Sequence, residues 1–233
     1  MPRSSIYNGR DPRELPAYSF ADAARYIDVP PATIRSWVAG RTYPKSGGVG
    51  SFEPVIRPAD PRTRRLSFYN LVEAHVLRSL RTKHAVPLKH VRPAIAYAEQ
   101  KMGIPRLLLS KELQTHAGDL FLEHLGSLVN LSKSGQLAIR QMLEAHLQRV
   151  EWDDRAIPIR LYPFMGVAPQ AEGRPVVIDP NVSFGRPTVR GTGILTSVVV
   201  ARIDAGESPS ALADDYGLTE AQINAAILFE RAA

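Results

Sequence analysis

Near the N-terminus, apolar residues recur at the spacing of an α-helix in two short consecutive segments. Segment 18–27 offers Ser19 as a helix N-cap and then places apolar residues at helical spacing: Phe20, Ala23, Ala24 and Ile27. The prolines at 30 and 31 break this helix, but Pro31 suits the first turn of a second helix, which Gly40 can end. The pattern predicts a helix, a tight turn and a helix.

The second helix has two chemically different faces. Ile34, Trp37 and Val38 fall on one side and are expected to face the first helix. The outward residues are small, hydrogen-bonding or cationic, which suits a helix in the DNA major groove. An ordinary helical hairpin with a polar outer face is the alternative. The candidate DNA contacts in and around this pair are Ser19, Thr33, Arg35, Ser36 and Arg41.

Seven prolines and glycines interrupt residues 41–66 and argue against a helix there. Short strands at 51–52 and 55–56 could pair with 66–68, as a β-hairpin that carries three arginines at its tip. Such a tip could lie along a phosphate backbone, so the candidate DNA contacts also include Arg62, Arg64 and Arg65. Asn70, with Glu73 three residues later, predicts the start of a further helix.

Residues 18 to about 100 resemble the winged helix-turn-helix of the MerR family. The resemblance is carried by Ala23-Ala24, Thr33-Ile34-Arg35-x-Trp37, the basic wing, Tyr69-Asn70-Leu71-Val72 and Val86-Pro87-Leu88-Lys89-x-Val91-Arg92. It implies that Thr33, Arg35 and Ser36 enter the major groove and that the wing arginines touch phosphates. Pro93 departs from the pattern, and the long dimerising helix with effector cysteines is missing, so metal sensing is not implied.

Charge is unevenly distributed along the chain. Residues 1–100 contain 16 Lys and Arg against 8 Asp and Glu, residues 101–172 contain 8 against 8, and residues 173–233 contain 5 against 7. A basic excess confined to the N-terminal region is typical of proteins that bind a polyanion. On charge alone, a solvated arginine-rich surface is an equally good explanation.

Several functional classes are disfavoured by composition. The absence of cysteine excludes disulfides, thiolate metal sites and cysteine nucleophiles, and the six histidines lack metal-ligand spacing. No apolar run approaches a membrane span, and the polar N-terminus does not resemble a secretory signal. The carboxylates of Glu151, Asp153 and Asp154 are better explained as a solvated turn than as a metal site. We expect a cytoplasmic protein with no catalytic residue, metal or cofactor.

Residues 104–172 are the least informative stretch. Apolar runs at 107–109, 119–124 and 128–131 predict short strands, the last two joined as a hairpin. A helix of about fifteen residues follows Ser134-Gly135 and is apolar over much of its surface, so it could contact a second copy or pack locally. Residues 157–164 predict an edge strand.

The C-terminal region begins with a β-run and a glycine-rich loop. Gly185, Gly191 and Gly193 allow tight turns that present Arg186 and Arg190. Three short helices follow, two of them with capping residues at Ser208 and Thr219. Their order is a second helix-turn-helix topology, but its outward residues lack phosphate-seeking charge.

This region resembles the small C-terminal domain of VapB-type antitoxins, once classed as a domain of unknown function. The resemblance is carried by Asp179-Pro180, Gly185-Arg186-Pro187-x-Val189-Arg190-Gly191-Thr192, Gly206-x-Ser208-Pro209 and Asp215-Tyr216-Gly217-Leu218-Thr219, with Gly193 as a departure. It implies a PIN-like ribonuclease toxin as partner. We expect the guanidinium of Arg186 or Arg190 to enter an acidic Mg²⁺ site and the last helix to supply apolar contact. The candidate toxin contacts are Arg186, Arg190, Ile223, Ile227 and Phe229. Both arginines could instead be structural, tied to Asp179 or Asp204.

The predicted fold is mainly α with small β elements (α+β). We expect an N-terminal arm at 1–17, a MerR-like winged helix-turn-helix at 18–103, a mixed middle region and linker at 104–172, and the antitoxin domain at 173–233. The resemblances imply an antitoxin that binds its operator as a homodimer, represses its own operon and neutralises the toxin. A stand-alone transcription regulator with a partner- or effector-binding C-terminal region is the alternative, an excisionase-like DNA binder is weaker, and an enzyme is last.

Overall fold

Helices form most of the chain, and the strands occur as three two-stranded antiparallel sheets. The computed structural model describes residues 7, 9–52, 54–82, 86–164 and 173–231. Within these ranges the helices are α1 (Phe20–Tyr26), α2 (Pro31–Ala39), α3 (Phe68–Thr82), α4 (Leu88–Met102), α5 (His116–Val129), α6 (Lys133–Leu147), α7 (Thr196–Asp204), α8 (Pro209–Tyr216) and α9 (Glu220–Arg231). The sheets pair β1 (Arg41–Lys45) with β2 (Gly48–Phe52), β3 (Val150–Trp152) with β4 (Pro158–Leu161), and β5 (Val176–Val177) with β6 (Thr188–Val189). The predicted fold class is confirmed.

The two N-terminal helices form as predicted, and for the predicted reasons. The Ser19 hydroxyl accepts the Asp22 amide at 3.1 Å, and the Asp22 carboxylate accepts the Ser19 amide, so α1 begins with a capping box. Pro31 occupies the first turn of α2, and Gly40 ends that helix with a φ of 69°. The helix-turn-helix prediction is confirmed.

The predicted position of the hairpin is wrong. Strands β1 and β2 form the hairpin directly after α2, with a turn at Ser46-Gly47, whereas Leu66 bridges to Tyr18. The φ of Gly47 is 90°, a conformation that glycine adopts without strain and that closes the hairpin early. Residues 55 and 56 donate their amides to the carbonyl of Trp37, so they cover α2 instead of pairing as a strand.

Helix α3 begins two residues before the predicted start. The Ser67 hydroxyl accepts the Asn70 amide at 3.3 Å, and the Asn70 side-chain oxygen accepts the Ser67 amide at 3.2 Å, so Ser67 caps a helix that begins at Phe68. The buried Asn70 side chain also donates to the carbonyl of Arg57 at 2.7 Å. Asn70 therefore ties the preceding loop to α3.

The strands predicted between residues 104 and 131 are wrong. Residues 107–109 form a 3₁₀ turn, and α5 runs without a break from His116 to Val129. Its buried residues recur at helical spacing on one face: Ala117, Phe121, Leu122 and Leu125. A short apolar run fits a strand and a buried helix equally well, which explains the error. The helix predicted after Ser134-Gly135 is present as α6, which begins before that pair, at Lys133, with Ser132 as its cap. The predicted edge strand is present as β4.

The C-terminal helices occur where the sequence predicts them. Ser208 caps α8 by accepting the Ala211 amide, and Thr219 and Gln222 form the capping box of α9. Gly217 ends α8 in the left-handed conformation, with a φ of 64°.

Two apolar clusters form the core, and α9 contributes to both. Ile223 and Ala226 lie in a small cluster with Val199 and Leu212, whereas Phe229 belongs to the large cluster that includes α1 to α6. A backbone bridge between Leu161 and Ile178 adds a second connection between the middle and C-terminal regions. Across the described ranges, no helix is long and apolar enough to cross a membrane.

Candidate nucleic-acid and partner interfaces

Helix α2 has the two faces expected of a recognition helix. Ile34, Trp37 and Val38 are buried beneath it, as predicted. On the opposite face Arg35 is exposed, and Thr33 and Ser36 are half-buried. The arrangement leaves one guanidinium and two hydroxyl groups on the outside of a rigidly packed helix, where they could reach base edges.

Ser19 is committed to helix capping. Besides accepting the Asp22 amide, its hydroxyl donates to the Asp22 carboxylate at 2.6 Å. These bonds place Ser19 at the N-terminus of α1, and a DNA contact by Ser19 stays a prediction.

The side chains of Arg62, Arg64 and Arg65 are exposed. They lie in a short loop that is closed by a backbone bridge between Asp60 and Arg65, and not at the tip of the predicted hairpin. The Asp60 carboxylate accepts the Thr63 hydroxyl at 2.6 Å and the Arg62 amide at 2.9 Å. These hydrogen bonds hold the pKa of Asp60 below its usual value, and the bond from the Thr63 hydroxyl has the largest effect. The loop is therefore ordered by its own acidic residue while it exposes three arginines.

The β1–β2 hairpin lies where a wing would follow a helix-turn-helix, and sequence reasoning missed it. It follows α2 directly, and the ring of Tyr43 lies over Gly50, where an added Cβ would be 2.6 Å from Tyr43 Cζ. Arg41 lies in β1, but the placement of its side chain is outside the described part of the chain. The Ser46-Gly47 dipeptide at its turn is the sequence signal that could have located this hairpin.

Both candidate toxin-binding arginines are exposed. Arg186 Nε donates to the Ser183 carbonyl at 3.2 Å, and the Arg190 guanidinium lies 5.5 Å from the centre of the Tyr162 ring. Asp179 is paired with Arg160 and Asp204 with Arg231, so neither carboxylate holds Arg186 or Arg190. Within the described part of the chain neither guanidinium group forms a salt bridge, although that of Arg190 lies over the Tyr162 ring.

The predicted apolar contacts on α9 need correction. Ile223 is 0% exposed and Phe229 is 3% exposed, so both belong to the interior of this chain. Ile227 is half-buried against the small cluster. The large apolar side chains with free surface in the described C-terminal region are Phe184, Val198 and Leu228, which are 63%, 40% and 64% exposed.

Helix α9 joins the C-terminal region to α1. Glu230 is ion-paired with Arg25 and accepts the Thr196 hydroxyl, while Phe229 lies 6.4 Å from Tyr26 between ring centres. The Tyr18 hydroxyl lies in the same junction, and burial raises its pKa. The candidate recognition helix α2 packs on α1, so the two candidate interfaces share one supporting helix.

Two histidines are buried side by side. His75 Nε2 lies 3.0 Å from the carbonyl of His146, and His146 Nδ1 lies 2.9 Å from the carbonyl of Met142. Burial is the main cause that lowers the pKa of His75 well below its usual value and that of His146 to about 4. The imidazoles are therefore neutral near pH 7.

The acidic residues after α6 form a turn and a salt bridge. Asp153 accepts the amides of Arg155 and Ile157, and Glu151 pairs with Arg160 at 2.7 Å. Among the described residues, no group of three or more His, Asp or Glu side chains is placed to hold a metal ion.

A cavity of about 810 Å³ lies between α3, α4 and the loop at 54–59. Glu73 pairs with Arg106 at 2.9 Å, and Glu99 accepts the Leu107 amide at 2.8 Å, so these two carboxylates are engaged within the chain. The lining combines such charged groups with apolar ones, including Val55, Ile95, Ala96 and Leu108. Its size is in the range of small-molecule sites.

Two family models match the chain in the regions described above. A model described as "Putative DNA-binding HTH domain" matches residues 16–95, and one described as "Protein of unknown function (DUF433)" matches residues 176–229. A relative from Mycobacterium tuberculosis, "Putative antitoxin VapB45", is 30% identical over 233 residues, which cover 92% of this chain and 93% of the relative. The chain belongs to the VapB45 family.

Further similarities extend over nearly the whole chain. "Uncharacterized protein Rv2308" of the same organism is 27% identical over 223 residues, covering 90% of this chain and 88% of that protein. The crystal structure of Rv2018 from M. tuberculosis is similar with a TM-score of 0.68 and 26% identity, over 92% of this chain and 98% of that one. All three likenesses cover at least 90% of this chain, so they include the middle region as well as the two terminal regions.

Proposed function

We propose that this chain is the antitoxin of a type II toxin–antitoxin pair. Membership of the VapB45 family and the match of residues 16–95 to a helix-turn-helix model support a DNA-binding antitoxin. In this proposal the N-terminal winged helix-turn-helix binds operator DNA and represses its own operon, and the C-terminal region neutralises a PIN-like ribonuclease. The chain itself acts in the cytoplasm without catalysis or cofactor.

The observation that carries the DNA-binding half is the outer face of α2. Arg35 is exposed above a fully buried Ile34 and Trp37, so the helix can enter a groove without losing its packing. The arginines of loop 60–65 and the β1–β2 hairpin lie in the same N-terminal region and supply phosphate contacts. The MerR-like character of this domain and its action as a homodimer on a palindrome are parts of the same proposal.

The toxin-binding half depends on Arg186 and Arg190. Both are exposed, and neither is held by the carboxylates of Asp179 or Asp204. A guanidinium group inserted among the Mg²⁺-binding carboxylates of a PIN-like site would compete with the metal and block RNA entry. Because Ile223 and Phe229 are interior, the apolar part of the contact must come from other side chains.

Co-expression with the adjacent gene tests the proposal. We expect the two proteins to co-purify and the complex to lack the ribonuclease activity of the free partner. An Arg186→Ala, Arg190→Ala double variant should restore cleavage of RNA, whereas Arg155→Ala, an exposed arginine in the turn before β4, should not. Full inhibition by the double variant would reject the role of the two arginines.

The oligomeric state has its own test. Light scattering on the purified chain at micromolar concentration should give the mass of a dimer, since palindromic operators match two-fold symmetric proteins. A monomeric mass both free and on operator DNA would reject the homodimer.

One observation favours a second candidate, a stand-alone transcription regulator. The cavity between α3 and α4 could accept a small molecule next to the DNA-binding helices. This reading predicts promoter binding by the purified chain and no co-purification with the product of the adjacent gene. Stable co-purification would favour the antitoxin.

A further inference from the structure

Phe184 is an exposed aromatic residue in a backbone conformation that phenylalanine rarely adopts. Its φ and ψ are 56° and 35°, and it lies between Ser183 with a φ of 48° and Gly185 with a φ of 74°. Two successive non-glycine residues in the left-handed region are energetically costly. Such conformations persist only where the surrounding structure enforces them, and they cluster at binding sites.

Distant parts of the chain hold this loop in place. The Tyr18 hydroxyl donates to the Gly185 carbonyl at 2.9 Å, and the Ser183 hydroxyl donates to the Gly193 carbonyl at 3.0 Å. A Cβ on Gly185 would lie 2.3 Å from Tyr18 Oη, so the loop and Tyr18 fit closely. The Tyr7 ring meets the Phe184 ring edge-on at 6.2 Å. The loop is therefore pre-organised.

Apart from its edge-on contact with Tyr7, the Phe184 side chain contributes little to the fold. The Phe184 ring is 63% exposed and therefore buries little apolar surface. Its left-handed backbone conformation would suit glycine better than phenylalanine. Arg186, two residues along the same loop, is also exposed and lies outside the salt bridges of the described residues. Aromatic and arginine side chains on a rigid support are the types that dominate protein–protein binding energy.

We propose that Phe184 is the apolar anchor of the toxin-binding surface. The ring enters an apolar pocket of a protein partner, and Arg186 pairs with carboxylates at the border of that pocket. This inference rests on the proposed antitoxin function and supplies the apolar contact that α9 cannot. A protein is favoured over a nucleic acid because residues 173–233 contain 5 basic against 7 acidic residues, and a net negative surface repels phosphates.

Phe184→Gly separates binding from folding. Glycine relieves the left-handed strain, so the thermal midpoint of the variant should be no lower than that of the wild type. We expect its affinity for the ribonuclease encoded beside this gene to fall by at least about 30-fold, the loss that defines an interface hot spot. Isothermal titration calorimetry with the full chain measures this change.

Leu228→Ala is the matched control, since Leu228 is 64% exposed on α9 of the same region. Its affinity for the ribonuclease should stay within about 3-fold of the wild type, because near-neutral residues surround interface anchors. Phe184→Trp, which keeps a large aromatic ring, should retain more binding than Phe184→Gly. These three results together would support the anchor.

Other outcomes overturn the inference in distinguishable ways. If the wild-type chain does not bind the ribonuclease, the proposed function fails and the inference fails with it. If the wild type binds and Phe184→Gly binds equally well, only the inference fails. A larger loss in Leu228→Ala would move the surface to α9. Fluorescence anisotropy with a single-stranded RNA completes the test, since loss of RNA binding in Phe184→Gly with an unchanged ribonuclease affinity would assign the loop to nucleic acid.

Discussion

The hydroxyl of Tyr18 donates a buried hydrogen bond of 2.9 Å to the backbone carbonyl of Gly185, which lies 167 residues further along the chain. Tyr18 immediately precedes the cap of α1, and Gly185 belongs to the loop that presents Phe184 and Arg186. One side chain therefore joins the support of the candidate DNA-binding helix to the candidate partner-binding loop.

Tyr18→Phe should destabilise the protein. The substitution leaves the ring in place and removes the donor to a buried carbonyl, which should lower the free energy of unfolding by about 1 to 3 kcal/mol. Urea denaturation measures the change. Tyr97→Phe is the control, since the Tyr97 ring stacks on His124 and its hydroxyl makes no hydrogen bond within the described part of the chain. An equal effect in both variants would argue against a special contribution from the Tyr18 bond.

Glu230→Gln should also lower stability. Glu230 is nearly buried, with 9% of its side chain exposed, and it serves both Arg25 and Thr196. Removing the charge weakens a desolvated pair, so we expect a loss of about 1 to 3 kcal/mol in the free energy of unfolding. Asp204→Asn breaks the exposed pair with Arg231 and should cost less than about 1 kcal/mol. Equal urea midpoints for wild type and Glu230→Gln would show that the Glu230 charge does not stabilise the fold.

Acid should destabilise the fold through the buried histidine pair. The pKa values of His75 and His146 lie below the ordinary 6.5 in the folded state, that of His146 at about 4, so the unfolded chain binds more protons below pH 6.5. The contribution of these two histidines to the free energy of unfolding should therefore be constant above pH 6.5 and should fall as the pH drops toward 4. Each histidine contributes a slope of up to about 1.4 kcal/mol per pH unit.

His146→Leu isolates this effect. The variant removes one titrating group from the pair, so its loss of stability between pH 6.5 and 4 should be shallower than that of the wild type. Denaturation curves at several pH values give both slopes. A wild-type slope that does not change on substitution would show that other groups, such as Asp11 with its lowered pKa, control the acid response.

Arg35→Ala should weaken sequence-specific DNA binding. Arg35 is exposed on the outer face of α2, and an arginine that reads a base contributes about 1 to 3 kcal/mol to discrimination. Anisotropy titrations on the promoter fragment and on a scrambled duplex measure both affinities, with Arg155→Ala as the control. Equal losses on the two duplexes would make Arg35 a phosphate contact instead.

Local patterns predicted much of this fold because caps and periodicity act within a few residues. Ser19, Ser208 and Thr219 each cap the helix that the sequence assigns to them. The strand prediction for residues 116–129 is wrong because short apolar runs do not distinguish a strand from a buried helix. The predicted hairpin position is wrong because the chain already reverses at the Ser46-Gly47 turn, directly after α2.

The candidate partner site was less predictable because it depends on distant contacts. Periodicity places Phe229 on one face of α9, but its burial comes from Tyr26, about two hundred residues earlier. The sequence around Phe184 does not predict its left-handed backbone conformation, which phenylalanine rarely adopts. The predicted domain boundaries, the DNA contacts and the toxin contacts at Arg186, Arg190 and Ile227 stay predictions.

Binding of the full chain to its own promoter fragment tests the central claim most directly. We predict a complex that forms in low salt, weakens steeply as salt rises because counterions are released, and outlasts the complex with a scrambled duplex of equal length. Failure to bind the promoter at low salt, or equal affinity for both duplexes at every salt concentration, would contradict the account.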